Sequence, residues 1–401
     1  MDSNQLFIGN YGTRSICLEK GQGAYVQDTN GKKYLDFGCG VAVNSLGYSH
    51  PTLVNALKLQ ADKIWHTSNL YLNQPSSALA QELTSRTFAD KVFFCNSGLE
   101  ANEAALKLAR KRGNEINPQK NRIVCFTGAF HGRSLFTLSL GGKEEHRKPY
   151  APLPDAITRV EFNNSAGLQE AFNEVGDDVC AVIIEPIQGE GGVNVASPEL
   201  LKLARYLSDE YNALLIFDEI QCGMGRSGGL FAYMDYAIQP DLMTCAKGLG
   251  GGFPIGCLLA NEAAAQSFSA GNHGSTFGGN ALAATVACEV IKIMDDDKFL
   301  ANVQTMGELL AEELALLNKE FNCFSEIRGK GLLWGCQLTD KYLDSKGNKK
   351  GSKFLEKCRA AGLLLLLAGS GDVLRFAPPL IISKGQLMEA IELLRNALKD
   401  F

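Results

Sequence analysis

Lys247 stands in the run Thr244-Cys245-Ala246-Lys247-Gly248-Leu249-Gly250-Gly251-Gly252, behind apolar residues and ahead of glycines that let a planar ligand approach closely. A lysine desolvated in such a place loses basicity and becomes a Schiff-base nucleophile, whereas one on an open surface beside a flexible turn would be inert. Asp218 closes the apolar run 213–217. A carboxylate buried there requires a cationic partner, and a protonated pyridine nitrogen is one. Ser97-Gly98-Leu99-Glu100 reads first as a capping box, a Ser N-cap followed three residues later by Glu. The glycine also leaves backbone N–H groups open at the positive end of the helix dipole, which suits a phosphate. An amine, a carboxylate and an anion-ready helix start together meet the requirements of pyridoxal phosphate. By contrast, Gly223-Met224-Gly225-Arg226-Ser227-Gly228 fits G-x-G-x-x-G but is not expected to bind a dinucleotide. Four residues, 219–222, separate it from the preceding strand, and a poor helix start follows. No P-loop sequence occurs.

The elements that must position these groups alternate along the chain. Short apolar runs at 92–95, 122–126, 179–184, 213–217 and 242–245 read as strands, and 97–111, 200–210 and 280–294 read as helices. Strands that are apolar throughout and alternate with helices predict an α/β fold, with a mainly parallel sheet covered on both faces. The polar residues Ser97, Glu185, Asp218 and Lys247 all fall at strand ends, where such sheets bind ligands. The first fifty or so residues read instead as turns and short strands, with hairpin signals at Gly21-Gln22-Gly23 and Asn30-Gly31. After Asp295 come long helices, then the stretch 327–338, a polar exposed stretch at 340–353 and a closing α/β pattern. The expected organisation is a large unit over 55–295 and a smaller α/β unit assembled from 1–54 and 296–401.

Composition narrows the function further. The 401 residues carry 39 Lys plus Arg against 44 Asp plus Glu, a net charge of −5, which argues against a nucleic-acid binder held by phosphate contacts. Twelve cysteines are scattered with no CxxC pair, and the five histidines form no HxxxH. Free buried thiols in a reducing compartment are expected, and no metal site. No apolar run approaches the ~18 residues that span a bilayer, and Leu363 to Leu367 is far too short. The N-terminus lacks the basic and apolar regions of a signal peptide. A soluble cytoplasmic enzyme is the expectation.

Longer motifs carry a resemblance. Ser97-Gly98-Leu99-Glu100-Ala101-Asn102-Glu103-Ala104, Phe130-His131-Gly132-Arg133, Glu185-Pro186-Ile187-Gln188-Gly189-Glu190-Gly191-Gly192, Phe217-Asp218-Glu219-Ile220-Gln221 and Gly274-Ser275-Thr276-Phe277-Gly278-Gly279-Asn280 resemble the class III, or ω-, aminotransferases. Arg375-Phe376-Ala377-Pro378-Pro379 extends the likeness towards the C-terminus, and Tyr34-Leu35-Asp36-Phe37 and Ala42-Val43-Asn44 towards the N-terminus. Within the class the likeness is greatest to the enzymes that act on acetylornithine.

The resemblance implies the fold type I architecture of pyridoxal-phosphate-dependent transferases, and it assigns roles. Lys247 would join the cofactor and then carry the proton between the substrate carbon and the cofactor, while Asp218 holds the ring nitrogen protonated. Gln221 would bind the ring hydroxyl, Phe130 would stack on the ring, and Gly98 and Leu99 would give N–H groups to the phosphate. Thr276 would reach that phosphate from the other subunit of a homodimer. Arg133 would clamp the carboxylate of the amino donor, with Ser275 and Tyr11 near its acyl end. Arg375 would take a carboxylate of glutamate or 2-oxoglutarate, and Glu190 would neutralise it when the ω-amino substrate is bound. The implied reaction converts N-acetylornithine and 2-oxoglutarate into N-acetylglutamate semialdehyde and glutamate, in arginine biosynthesis. Succinylornithine, ornithine and 4-aminobutyrate remain rival donors, because one acyl group or methylene changes discrimination by only ~1–3 kcal/mol; an aminomutase on the same fold is a more distant rival. Leu99 stands where relatives usually have Ala or Thr, Ser134 where Thr is usual, and Ala281 where Pro is usual. The segment 38–41 lacks the tyrosine of ornithine aminotransferases, which favours an acylated donor.

Overall fold

The computed structural model describes residues 3–342 and 351–399. The centre is a seven-stranded sheet in the order Lys91–Cys95, Gly256–Ala260, Leu242–Cys245, Leu214–Asp218, Val179–Ile184, Arg122–Phe126, Ile157–Val160. Gly256–Ala260 runs antiparallel to both neighbours, and the other strand pairs are parallel. The five apolar runs read as strands are therefore all strands, and two members escaped notice. Gly256-Cys257-Leu258-Leu259-Ala260 was hidden behind the glycine run, and Ile157-Thr158-Arg159-Val160 is an edge strand with only one fully buried residue.

Alternation along these strands feeds two cores, since successive side chains point to opposite faces. Val124, Val182, Leu215, Phe217 and Met243 enter one. Ile123, Cys125, Ala181, Leu214, Ile216 and Leu242 enter the other, against Ala104, Ala105, Leu108 and Ala109 of the helix Gly98–Ile116. Small residues on that helix let it lie close to the sheet, which carries its N-terminus to the strand ends. Ser97 caps its start: Ser97 Oγ accepts the Glu100 N–H at 3.2 Å, while Glu100 Oε2 accepts the Ser97 hydroxyl at 2.9 Å and the Asn96 N–H at 3.0 Å, a variant of the capping box in which the backbone bond falls one residue earlier.

The chain ends meet. Leu18–Gln22, Tyr25–Asp28 and Lys33–Asp36 form an antiparallel meander, and Leu363–Leu364 adds to it in parallel. A second sheet pairs Phe324–Lys330, Leu333–Leu338, Val373–Phe376 and Leu366–Ala368. The stretch 327–338 is thus two antiparallel strands turning at Gly331-Leu332, and the five-leucine run divides between two sheets. Part of the polar stretch 340–353 lies outside the described residues. All twelve cysteines are free and only Cys17 is exposed. Among the described residues no helix is long and apolar enough to cross a membrane.

Candidate active site

Beyond the C-terminal ends of the central strands lies a cavity of about 380 Å³. Its walls come largely from the ends of five of the strands and the segments after them: Ser97 to Leu99, Phe130 to Arg133, Glu185, Asp218 with Gln221, and Lys247. Open α/β sheets place ligands in this position because the strand ends splay into loops there while helix N-termini point inwards.

Asp218 is buried and over-determined. Its Oδ2 lies 2.7 Å from His131 Nδ1 and accepts the Asn102 amide at 2.8 Å, while Oδ1 accepts the Ile220 N–H at 3.1 Å. Burial works to lower the basicity of His131, but the hydrogen bond and charge of Asp218 outweigh it and raise the imidazole above its ordinary value. Asn102 is fixed in turn, donating to the His131 carbonyl and accepting from Thr244, both at 2.8 Å. The carboxylate therefore cannot rotate away from the cavity.

Lys247 opens a short 3-10 turn, Lys247–Gly250, with φ +42, a left-handed value unusual for a residue with a side chain. Strained backbone of this kind persists only where its surroundings over-determine it. Burial lowers the basicity of the amine, with Arg375 adding to that effect and Glu190, Asp218 and Glu185 opposing it. Glu185, at the end of Val179–Ile184, is pushed up to about 8, first by burial, and accepts the Phe130 N–H at 3.1 Å. Residues Cys39, Gly40, Val41 and Ala42 all have positive φ and form a left-handed turn that delivers Val43 to the cavity wall. Three of the four carry side chains, at about 1–2 kcal/mol of strain each.

On the other side of Gln221 lies an ion pair. Arg375, buried in the strand Val373–Phe376, meets Glu190 Oε1 at 2.5 Å and Gln221 Oε1 at 3.0 Å, and Gln221 Nε2 donates to Glu190 at 3.4 Å. Arg375 holds the Glu190 carboxyl below its usual range although burial pushes the other way. Gln221 comes this close because Gly189 has no side chain: a Cβ there would fall 1.9 Å from Gln221 Oε1.

The chain thus brings Gly98, Leu99, Phe130, Arg133, Asp218, Gln221 and Lys247 to one cavity, with Glu190 and Arg375 joined to it through Gln221. Ser275 stands at the rim, where its Oγ accepts from the cavity residue Asn96 at 3.2 Å. Thr276 is exposed, and Tyr11 is 78% exposed in a short turn of the N-terminal segment; neither lines the cavity of its own chain. Leu99 turns its side chain towards Gly132 rather than across the helix start. The dinucleotide-like segment is a buried turn whose Arg226 donates to the Leu332 and Pro378 carbonyls, so it holds chain segments together. Sequence reasoning gave no role to His131, Asn102 or Glu185. Asn102 carried a signal, since it falls one turn after Gly98 on the buried face of an otherwise alanine-rich helix.

A class-III aminotransferase sequence profile matches residues 8–398. The chain belongs to the class-III aminotransferase family. It is 47% identical to an acetylornithine aminotransferase of Neisseria meningitidis over 98% of this chain and 96% of that protein. It is also 47% identical to a succinylornithine transaminase of Yersinia pseudotuberculosis, over 99% and 95%. The crystal structure of N-acetylornithine aminotransferase from Stenotrophomonas maltophilia superposes with TM-score 0.85 at 39% identity, covering 99% of each chain. Class-III aminotransferases depend on pyridoxal phosphate, and the donor set of this aminotransferase fits that group. The N–H groups of Gly98 and Leu99, at the start of the helix, find no acceptor among the described residues and suit a phosphate. A fixed carboxylate, a weakened amine and an aromatic wall complete the set.

Proposed function

We propose that this aminotransferase exchanges the amino group between N-acetyl-L-ornithine and 2-oxoglutarate, giving N-acetyl-L-glutamate 5-semialdehyde and L-glutamate, a step of arginine biosynthesis. The observation that carries the reading is the state of the two arginines. Arg375 is already neutralised by Glu190, while Arg133 opens on the cavity with no carboxylate partner among the described residues. A donor whose reacting end is uncharged and whose far end bears a carboxylate matches that pattern. For glutamate, Glu190 would release Arg375 to the carboxylate next to the reacting carbon.

Pyridoxal phosphate, when bound, supplies an aldehyde for amine exchange and a ring that accepts the electron pair left on the substrate carbon. Gly98 and Leu99 would hold its phosphate, Phe130 its ring face, and Asp218 the proton on its ring nitrogen. Gln221, which bridges Glu190 and Arg375, would bind the ring hydroxyl. Lys247, weakened as a base by burial, holds and returns the proton at the reacting carbon through Nζ.

The assembly belongs to the same proposal. Trp65, Leu70, Tyr71, Leu72 and Phe277 are exposed large apolar residues on neighbouring segments, and Asn69 bonds the Ser275 carbonyl at 2.8 Å. Such a patch calls for cover, and a second copy would bring Thr276 to the partner's phosphate and Tyr11 to the donor's acyl end. Succinylornithine is the second reading of the donor, since relatives of either name share the same identity with this chain.

The test is a visible spectrum of the purified holoenzyme, with each donor added in the absence of a keto acid. N-acetylornithine is expected to bleach the cofactor band, and 2-oxoglutarate to restore it. A band that responds to glutamate but to no acylated ornithine would overturn the donor assignment.

A further inference from the structure

Beside the cavity, and sharing Arg133 with it, lies a small recess of about 60 Å³. Phe130, Gly132 and Arg133 border both spaces, and the far wall is the loop that carries Lys143 and His146. That loop is held in place. The Gly142 N–H donates to the Ala129 carbonyl at 2.8 Å, and a Cβ on Gly142 would lie 2.3 Å from the Gly128 nitrogen, so only glycine permits the approach.

Positive charge is in surplus here. Arg133 has no ion pair among the described residues and lies 5.7 Å over the Phe130 ring. Lys143 Nζ donates to the Gly369 carbonyl, which leaves further N–H donors on the ammonium. The acidic residue of the recess, Glu190, is engaged by Arg375. The carboxylate beside His146 is that of Glu145, 3.9 Å away and three-quarters exposed. Burial first, and then the charges of Arg133 and Lys143, hold His146 below its ordinary value, with Glu145 opposing.

We propose that Lys143 and His146 join Arg133 as a carboxylate-binding wall, so that the far carboxylate of the substrate is held in this recess from two sides. This rests on the reading of Arg133 as the carboxylate clamp. Burial and the neighbouring cations disfavour the charged form of His146, whereas a carboxylate set among Arg133, Lys143 and His146 favours it. Binding then takes up a proton, despite Glu190 across the recess, and weakens as pH rises.

The experiment compares the holoenzyme with its Lys143→Gln, His146→Gln and Arg133→Gln variants. The amines are N-acetylornithine and N-acetylputrescine, which lacks only the carboxylate and is used as substrate or as competing amine. Lys143→Gln and His146→Gln should each raise KM for N-acetylornithine about tenfold with kcat within about twofold, the loss of one charge-assisted hydrogen bond. The constant for N-acetylputrescine should stay within about twofold. In the unsubstituted enzyme KM for N-acetylornithine should rise between pH 6 and 8, roughly the range of an imidazole, and this rise should vanish in His146→Gln. Equal losses on both amines, or an unmoved KM, overturn the proposal. If Arg133→Gln also treats the two amines alike, the clamp reading falls with it; if Arg133→Gln alone discriminates, only the roles of Lys143 and His146 fall.

Discussion

Burial weakens the Lys247 amine, whereas Asp218 is held in place by three partners: His131, Asn102 and the Ile220 N–H. Lys247→Ala is expected to lower turnover by at least about 10³-fold, since no other amine lines the cavity and general acid–base catalysis alone is worth 10²–10⁴. Steady-state transamination measures it, and near-normal turnover would falsify the assignment. Asn102 supports the site from one layer back. Asn102→Ala removes a donor from Asp218 and from the His131 carbonyl, and an acceptor from Thr244. Unmade buried hydrogen bonds should cost about 1–3 kcal/mol, read as a lower urea midpoint together with weaker retention of the cofactor. Normal stability with normal retention would show that Asp218 does not depend on it.

At the scale of elements, the turn after Leu214–Asp218 must present Gln221 while the chain doubles back. Glu219 holds that turn: it is buried and accepts the Ala232 and Tyr233 N–H groups at 2.6 and 2.7 Å. Burial pushes its carboxyl up from 4.5 to about 8. The protonated form is then the one that folding favours. Its contribution is complete below about 4.5 and is lost as pH rises through about 8. Thermal melts of the holoenzyme across this window should show stability falling with pH, and Glu219→Gln should flatten the slope. An identical slope in the variant would assign the pH dependence to other groups, such as Glu185. Glu219 could not be singled out in the sequence, where it simply follows Asp218 at a strand end. Burial by loops distant in the chain makes it differ from a surface carboxylate.

For the molecule as a whole, Thr276 and Tyr11 matter only if a second copy supplies them. A dimer in light scattering is expected, and mixed subunits give the sharper test. Lys247→Ala and Thr276→Asp homodimers should each be impaired, whereas refolded mixtures should regain about a quarter of the normal activity, because half of the dimers carry one intact composite site. No recovery on mixing would place Thr276 outside the partner's site.

Most element types, the cofactor chemistry and the family were legible in the residues alone. Strand apolarity, the Ser97–Glu100 cap, and the lysine and aspartate at strand ends are local patterns, and they survive in the fold within a few residues. Tertiary structure alone decided the insertion of Gly256–Ala260 between two strands that it opposes, and the division of Leu363–Leu367 between two sheets. It also decided the clasp of Gln221 by Arg375 and Glu190, and the recess where Lys143 and His146 face Arg133. These are contacts between residues far apart in the chain, set to within an ångström by the packing of whole layers. Periodicity records which face a side chain takes, but not which distant group it meets there.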